Sequence, residues 1–347
     1  MNKFKYYFIL LITTLSLFSC SKDDAAETEA PRDYAVQYAT DLTDIEEYLK
    51  TYYIENVSPD VDIKIIKIPT NGTQPSIWSY KDNAGFPKLL SRDVKLHDIT
   101  YKLYYLALRG QVNENVSSDV EKAPTNVDEL FISYKGVYLE RKTIENISTL
   151  STTQFEEHIN PIWTMGFENY IRGWKEIIPQ FKKGEHVSNS DGTVTFNDFG
   201  VGVMFIPSGL AYYNNGSSAI PAYVPLIFSF RLMEFQKTDN EGNGIRGTQN
   251  FVPTPDGVMS FQEDLDKDRY MWRKGELPKG AINPDDTDGD GIPDFADVDD
   301  DGDNYTTKLE IKNPATGLAY PFADIPSCSG NTTDPTRIKK HLDKNCH

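Results

Sequence analysis

Cysteine and histidine are scarce in this sequence, which contains three Cys and five His among 347 residues. No Cys-x-x-Cys pair occurs and the histidines are scattered, so the chain lacks the ligand spacings typical of a zinc site. Two of the cysteines, Cys328 and Cys346, lie near the C-terminus. In an oxidising compartment we expect them to form a disulfide that closes a short loop; the alternative is two free surface thiols.

Positive charge is also in short supply. The chain has 35 Lys and Arg against 52 Asp and Glu, for a formal net charge of −17. Such an acidic chain would repel phosphates, which argues against nucleic acid as a partner. Ten Asp fall between positions 281 and 303, where there is no Lys or Arg. This local excess of carboxylates indicates that the partner of the segment is a cation.

The apolar run at the N-terminus, from Tyr6 to Phe18, is too short to span a bilayer comfortably. It follows Lys3 and Lys5, a pattern typical of an export signal. The run ends in Leu17-Phe18-Ser19-Cys20, which resembles a bacterial lipobox. The resemblance implies a lipoprotein signal peptide over residues 1–19 and acylation of the Cys20 thiol. The alternative is an ordinary secretory signal with an incidental cysteine.

The residues after Cys20 extend this interpretation. Ser21-Lys22-Asp23-Asp24 resembles the acidic export tag of Bacteroidetes surface lipoproteins. Residues 20–32 are polar and predict a flexible tether. We therefore expect an outer-membrane lipoprotein of the cell envelope, held at the membrane by its lipid anchor, with exposure at the cell surface as a weaker expectation.

Periodicity predicts many strands and few helices. Ile45, Tyr48 and Leu49 fall on one side of a helix predicted over residues 44–53. A second, short helix is predicted over residues 173–184, and Ser190-Asp191-Gly192 indicates a hairpin within 187–199. Alternating apolar residues predict strands over 61–68, 101–108, 127–139 with a turn at Gly136, 201–206, and 226–232.

Three separate blocks carry a family resemblance. They are Ile171-Arg172-Gly173-Trp174-Lys175-Glu176, Phe205-Ile206-Pro207-Ser208-Gly209-Leu210-Ala211-Tyr212, and Ile220-Pro221 followed by Leu226-Ile227-Phe228-Ser229-Phe230. In order, spacing and residue type they resemble the FKBP-type peptidyl-prolyl cis-trans isomerases. The resemblance implies an α+β fold in which a twisted antiparallel β-sheet wraps around a short α-helix.

The predicted organisation has seven parts. They are a signal peptide at 1–19, a tether at 20–32, an N-terminal helix and strand region at 33–89, an FKBP-like domain at 90–236, a linker or extended lid at 237–280, a small acidic calcium-loop segment at 281–312, and a C-terminal tail at 313–347.

Isomerisation of an Xaa-Pro bond passes through a twisted amide, with a barrier of about 18–20 kcal/mol. No covalent bond is broken, so an apolar pocket with a few hydrogen-bond donors suffices and no cofactor is expected for catalysis. The resemblance implies Trp174 as the pocket floor, Ile171 as a lining residue that offers its N–H, and Tyr212 as a hydroxyl donor. It implies five further pocket positions, which are Tyr134, Ile220, Phe228 and the pair Ile144-Glu145.

Two departures from the family pattern leave a second function open. Ile144-Glu145 stands where the family usually has Phe-Asp, and Tyr213 stands where the family has Gly after Ala-Tyr. The first hypothesis is a prolyl isomerase that assists the folding of exported proteins by binding their proline-containing segments. The alternative is a catalytically weakened binding module on a calcium-stiffened surface lipoprotein.

The acidic segment has the spacing of an EF-hand-type calcium loop. Starting at Asp286, oxygen ligands fall at positions 1, 3, 5, 9 and 12, with Gly291 at position 6 for the sharp turn. These ligands are Asp286, Asp288, Asp290, Asp294 and Asp297. A second copy begins at the shared Asp297 and continues through Asp299, Asp301 and Asp303. Because its position 12 is Lys308, this loop is either incomplete or closed by Glu310.

The tandem arrangement of these loops resembles thrombospondin type 3 repeats. We expect structural Ca²⁺ here, because so many neighbouring carboxylates need hard cations to neutralise them. The alternative is a solvated acidic linker.

Overall fold

The computed structural model describes residues 30–60, 62–217, 219–278 and 280–346. The predicted signal peptide, Cys20 and most of the tether lie outside the described residues. From Tyr34 to the C-terminus the chain forms one compact unit. Within the described ranges, none of the helices combines the length and the apolar character needed to cross a membrane.

A six-stranded antiparallel sheet forms the centre of this unit. Its strands, in chain order, are β3 (Lys88–Leu96), β4 (Ile99–Arg109), β5 (Glu129–Ile144), β6 (Ile147–Thr164), β9 (Gly200–Ile206) and β10 (Leu226–Gln236). Their order across the sheet is β3-β4-β9-β10-β5-β6. The prediction of an α+β chain dominated by an antiparallel sheet is confirmed, and the strands predicted over 101–108, 201–206 and 226–232 all form.

Smaller elements surround the sheet. The helices are α1 (Tyr34–Thr51), α2 (Ser117–Val120), α3 (Arg172–Ile177) and α4 (Thr307–Glu310). The two-stranded pairs are β1 (Tyr52–Ile54) with β2 (Ile65–Lys67), β7 (Glu185–Ser188) with β8 (Val194–Asn197), and β11 (Gly242–Asn243) with β12 (Val252–Pro253). The β7–β8 pair is the hairpin predicted from Ser190-Asp191-Gly192, whereas only part of the strand predicted over 61–68 forms.

The sheet buries both of its faces. On one face, alternate residues of β10 pack with Trp174, Ile177 and nearby Phe181 in the larger core. On the other face, Ile45 and Leu49 of α1 pack against residues of β4 and β9. The predicted apolar side of α1 is therefore confirmed, although the helix begins ten residues before the predicted start at Asp44.

Helix α1 is also bound to the sheet by polar contacts. The buried Asp41 carboxylate accepts hydrogen bonds from the Ser208 N–H at 2.7 Å and the Ser208 hydroxyl at 2.6 Å. The Gln37 amide donates to Asp41 at 2.7 Å and to the Tyr223 carbonyl at 3.1 Å. These bonds fix the chain that leaves β9, which carries Tyr212 a few residues later.

The turn predicted at Gly136 is wrong, because β5 runs through this residue to Ile144. A Cβ atom at Gly136 would lie 2.5 Å from Phe155 and 2.8 Å from Phe228, so glycine is required by the two rings packed over it. The chain reverses instead at Glu145 and Asn146, whose φ angles of 50° and 65° suit a tight hairpin turn.

Helix α3 is shorter than the helix predicted over 173–184. It ends at Ile177 and continues as one 3-10 turn from Ile178 to Gln180. Pro179 explains the change, because a proline has no N–H to donate to the carbonyl four residues earlier. Gly184 lies beyond the helix, where its N–H donates to the Met233 carbonyl at 2.9 Å.

The segment 237–280 is packed rather than a linker or a lid. Thr238 and Asn240 donate side-chain hydrogen bonds to the Val127 carbonyl at 3.1 and 2.8 Å. Met271 is buried against Val127. The segment shows no hydrophobic periodicity in the sequence, because several of its buried side chains are acidic rather than apolar.

The predicted disulfide is not formed in this structure. Cys328 and Cys346 are free thiols, the first exposed and the second buried. Burial, followed by a hydrogen bond with Cys328, raises the pKa of the Cys346 thiol to about 12. The two side chains are therefore neighbours. The alternative prediction placed both thiols at the surface, but only Cys328 is exposed.

Candidate functional site

Aromatic side chains from α3, β5 and β10 form a cluster beside the sheet. The Trp174 ring lies edge-on to Tyr134, with centroids 4.9 Å apart, and edge-on to Phe228 at 5.1 Å. Tyr170 packs against the outer part of the indole at 5.7 Å. Three of the predicted pocket residues, Trp174, Tyr134 and Phe228, are therefore brought together by the fold. We call this group, with Tyr170, the aromatic cluster.

The structure places Ile144 and Glu145 far from this cluster. They stand at the tip of the β5–β6 hairpin, where the Ile144 side chain is 68% exposed. Ten residues of extended chain separate Ile144 from Tyr134, a distance of roughly 30 Å. The predicted placement of the pair in the pocket is therefore wrong in geometry.

Phe155 and Glu156 occupy the place that the sequence analysis gave to Ile144-Glu145. The Phe155 ring is edge-on to Phe228 at 5.5 Å, and the Glu156 carboxylate lies near enough to the Tyr134 hydroxyl to raise its pKa. The sequence signal that could have identified this pair is an aromatic residue followed directly by a carboxylate. The FKBP-type isomerases that the chain resembles have Phe-Asp in this place. It was missed because the long hairpin separates this pair from Gly136 by eighteen residues.

The rim of the cluster offers hydrogen-bond donors. Tyr212 is 39% exposed. Ile171 caps the N-terminus of α3, and its N–H makes no hydrogen bond to the residues that the structure describes. Ile220 is buried in the same core, held by a pair of backbone hydrogen bonds with Ser217. The role of Ile171, Tyr212 and Ile220 as lining residues of a substrate pocket stays a prediction.

Three tyrosine hydroxyls around the cluster stay protonated at neutral pH. Burial raises the pKa of Tyr134, Tyr170 and Tyr212 above the ordinary value, and the nearby Glu156 carboxylate raises each further. A tyrosine in this state can donate its proton in a hydrogen bond without losing it. The arrangement can hold an apolar ring against aromatic walls and offer donors to a carbonyl at the rim.

Tyr213 adopts the left-handed conformation that its position requires. Its φ is 46°, in the region that glycine enters most easily. Its ring does not bend over the aromatic cluster but stacks on Tyr34 of α1, with centroids 4.2 Å apart, and meets Tyr223 edge-on at 5.1 Å. The tyrosine thus takes the backbone shape of a glycine while attaching the loop to α1.

The polar side chains of α3 are all engaged on the side away from the sheet. Glu176 pairs with Arg92 and with Arg172, both at 2.6 Å. Lys175 is buried and pairs with Glu276, and it also donates to the Glu168 carbonyl at 3.2 Å. Burial lowers the pKa of Lys175. These pairs fix the rotation of the helix and thereby the direction of Trp174.

The first predicted calcium loop has the expected shape. One carboxylate oxygen each from Asp286, Asp288 and Asp290 lie within 4.8 Å of one another. Gly291, at position 6, has a φ of 87°. Asp294 is turned inward, where it accepts hydrogen bonds from the Thr287 N–H and hydroxyl at 2.8 and 2.7 Å. Ligand atoms for a hard cation are therefore gathered in one place.

The second loop is also formed, but its register differs from the predicted one. Oxygens of Asp299, Asp301 and Asp303 lie within 4.8 Å of one another, so the loop begins at Asp299 rather than at Asp297. Position 6 is then Asn304, whose φ of 74° has the hand that the sharp turn needs. Position 12 then becomes Glu310. Closure by Glu310 was one of the two alternatives given for this loop.

Glu310 faces this second loop. Both of its carboxylate oxygens are buried and accept no hydrogen bond within the described part of the chain. Burial, followed by the charges of Asp301 and Asp303, raises the pKa of Glu310 to about 8. A bidentate Glu at position 12 is the usual closing ligand of an EF-hand loop, so the corrected register supplies what the predicted one lacked.

Comparisons with known proteins find partial similarities. A solved structure of FkpA from Escherichia coli shares 22% identity over 39% of this chain and 48% of its own, with a TM-score of 0.26. A peptidyl-prolyl cis-trans isomerase from Pseudomonas syringae pv. tomato shares 13% identity over 60% of this chain and 99% of its own, with a TM-score of 0.31. This chain thus spans about half the length of FkpA.

A family model described as BamM C-terminal matches residues 254–335. This range contains both acidic loops and begins after the last strand of the sheet. No curated protein matches the chain in sequence.

Proposed function

We propose that residues 90–236 form an FKBP-like domain that catalyses cis-trans isomerisation of Xaa-Pro bonds in exported polypeptides. The observation that carries the proposal is the aromatic cluster, in which Trp174 lies edge-on to both Tyr134 and Phe228. Three chain segments distant in sequence bring these rings together, at the positions that the family pattern gives to its pocket.

The chemistry of the cluster suits a twisted amide. A proline ring would lie against the aromatic walls, and the carbonyl before it would accept hydrogen bonds from the Tyr212 hydroxyl and the Ile171 N–H. An apolar surrounding favours the less conjugated amide, and donors placed at the rim stabilise its carbonyl oxygen without a proton transfer. The Glu156 carboxylate lies near the Tyr134 hydroxyl, and its negative charge favours the protonated form of that tyrosine.

The test is acceleration of Xaa-Pro isomerisation in short peptides by the purified protein. Tyr212→Phe removes one donor at the rim, and we expect it to lower kcat/KM by about 5-fold, since a hydrogen bond contributes about 1 kcal/mol. Tyr223→Phe is the matched control, because this tyrosine packs on the other side of the loop against Tyr213. Equal activity in both variants would remove Tyr212 from the site.

A second experiment tests the Glu156 assignment. Glu156→Gln keeps an acceptor near Tyr134, whereas Glu145→Gln alters the carboxylate at the hairpin tip. We expect the first change to alter the isomerisation rate and the second to leave it unchanged. The reverse result would restore the original Ile144-Glu145 assignment and refute the geometric one.

A binding module without catalysis is the second candidate function. The observation in its favour is that Trp174 is only 2% exposed, so a proline ring reaches the indole only if the rings around it move apart. A folded protein that binds proline-containing peptides but gives no rate acceleration would decide for this function.

The calcium loops and the location complete the proposal. Ca²⁺ bound by the two loops would neutralise their carboxylates and stiffen residues 286–310, and the role is structural. The match of residues 254–335 to a BamM C-terminal model supports a place in the cell envelope beside outer-membrane machinery. Lipid attached to Cys20 would anchor the chain there. Labelling of cells with a radioactive fatty acid, with Cys20→Ala as control, tests the anchor.

A further inference from the structure

A group of acidic side chains outside the two calcium loops is buried where the segment 237–263 meets the acidic repeat. We call Asp239, Glu241, Asp256, Glu263 and Asp300 the interior acidic centre. One carboxylate oxygen each from Asp256, Glu263 and Asp300 lie within 4.8 Å of one another. Oxygens of Asp239, Glu241 and Asp256 form a second such group, so Asp256 belongs to both.

Four of the five side chains of the centre are buried from water. Glu241 is completely buried, and Asp256, Glu263 and Asp300 are each at most 2% exposed. Carboxylates are almost never buried to this degree unless they are paired with a cation or bound to a metal. Their burial therefore calls for a positively charged partner.

The protein's own groups do not provide that partner. Both carboxylate oxygens of Glu263 are buried and accept no hydrogen bond from any described residue. The Lys308 charge lowers the pKa of Asp256, but its ammonium group donates a hydrogen bond to the Pro255 carbonyl at 2.9 Å. Among the ion pairs of the described ranges, none involves a member of the interior acidic centre. Glu263 is thus a buried, unpartnered carboxylate aimed at other carboxylates.

We propose that Asp256, Glu263 and Asp300 bind a Ca²⁺ ion that fastens the acidic repeat to the sheet domain. The ligand set consists of oxygens alone, which Ca²⁺ prefers. Two ligands of one Ca²⁺, each about 2.3–2.6 Å from the ion, can lie no more than about 5.2 Å apart. The spacing within 4.8 Å meets this condition for all three pairs. Asp239 and Glu241 would lie beside the ion, because their carboxylate group shares Asp256 with the three ligands.

The position of the ligands gives the ion its role. Asp300 lies between two ligands of the second calcium loop, Asp299 and Asp301. Glu263 and Asp256 belong to the segment that Thr238 and Asn240 tie to the Val127 carbonyl, just before β5. An ion held by all three side chains would join the repeat to the domain that contains the aromatic cluster, so the repeat would project from it in a fixed direction.

Protons are the competing partner for these carboxylates. Burial raises the pKa of Glu263 well above its ordinary value, and that of Asp256 to about 7. A centre filled by protons alone would bind no Ca²⁺. The two possibilities differ in the number of Ca²⁺ ions that the protein binds.

The test is the Ca²⁺ stoichiometry of the full-length protein, stripped with a chelator and titrated by calorimetry at neutral pH. We expect Glu263→Gln to bind one ion fewer than the unmodified protein and to keep the ions of the two loops. Asp324→Asn, which changes an exposed carboxylate of the same charge, is the control and should bind the full number. An unchanged stoichiometry in folded Glu263→Gln would overturn the proposal.

Two further measurements keep the result independent of the loops and of folding. Asp290→Asn and Glu310→Gln weaken one loop each, and combining either with Glu263→Gln should remove a further ion. Crystals of the unmodified protein grown with CaCl₂ should show an anomalous peak between Asp256, Glu263 and Asp300. Absence of that peak, with peaks present in the loops, would refute the interior site and leave the loop assignment intact.

Discussion

The Trp174 indole meets the Phe228 ring edge-on, with centroids 5.1 Å apart and planes at 83°. This contact joins helix α3 to the central strand β10, and so the same rings that would bind a proline also hold the domain together. A substitution here is expected to affect both stability and binding.

Trp174→Ala should lower the free energy of unfolding by about 3–5 kcal/mol, the usual loss for a large aromatic side chain removed from a core. Trp163→Ala is a matched control, because that indole is 45% exposed and packs only against Phe131 and its neighbours on the other side of β5. We expect a loss of about 1 kcal/mol there. Urea unfolding at saturating CaCl₂ measures both, and similar losses would contradict the buried position of Trp174.

Tyr213 allows a test of backbone strain. Its φ of 46° is unfavourable for any residue with a Cβ atom, whereas glycine adopts it freely. Both Tyr213→Ala and Tyr213→Gly lose the stacking on Tyr34, but only the glycine relieves the strain. We therefore expect Tyr213→Gly to be more stable than Tyr213→Ala by about 1 kcal/mol. An alanine variant as stable as the glycine variant would show that this residue is not in the left-handed conformation.

Asp41 should make stability depend on pH. Burial raises the pKa of Asp41 to about 6 in the folded protein, only partly offset by the bonds from Ser208 and Gln37. Because the folded-state pKa lies above the unfolded one, the contribution is fully present below about pH 4 and is lost as the pH rises to about 6. The shift corresponds to ~3 kcal/mol.

Asp41→Asn removes this titration. Relative to the unmodified protein, the variant should gain stability as the pH rises from 4 to 7, by up to ~3 kcal/mol. Urea unfolding at several pH values and one fixed CaCl₂ concentration measures the difference. Asp82→Asn, at an exposed position, should show no such trend. A constant difference between Asp41→Asn and the unmodified protein would contradict the raised pKa.

The register of the second calcium loop can be tested with two neighbouring residues. If the loop begins at Asp299, Glu310 is its closing ligand, and Glu310→Gln should weaken Ca²⁺ binding at one site by about 10-fold or more. If it began at Asp297, position 12 would be Lys308, and Lys308→Gln would strengthen binding by removing a positive charge. Calorimetric titration of both variants distinguishes the registers.

Much of the fold could be read from local patterns. The alternation in β4, β9 and β10 and the apolar side of α1 each follow from residues close together in the sequence, because side-chain direction along a strand or helix repeats with a fixed period. The three blocks around Trp174, Tyr212 and Phe228 indicated the aromatic cluster only through their resemblance to the FKBP-type isomerases. In the first acidic loop, the spacing of the Asp residues along the sequence is enough to predict that their carboxylates lie together.

The predictions from the sequence were wrong where contacts between distant segments determine the local structure. Gly136 has the composition of a turn, but two rings from other strands hold it in the middle of β5. Glu156 lies eleven residues beyond the expected carboxylate, Glu145, and only the pairing of β5 with β6 brings it near Tyr134. The second calcium loop was misplaced by two residues, because Asp297 and Asp299 fit the spacing equally until Glu310 is seen facing the loop.

The sequence by itself determined the strands, the enclosed helix, the acidic loops and most of the residues around Trp174, since each depends on a short-range repeat or spacing. Tertiary structure alone decided which carboxylate lies near Tyr134 and where α1 packs on the sheet. It also decided that the acidic side chains of segment 237–263 point into the interior. Burial depends on which distant segments come together, and the interior acidic centre draws its ligands from separate segments with no common spacing. That is why its cation site becomes apparent only in the folded chain.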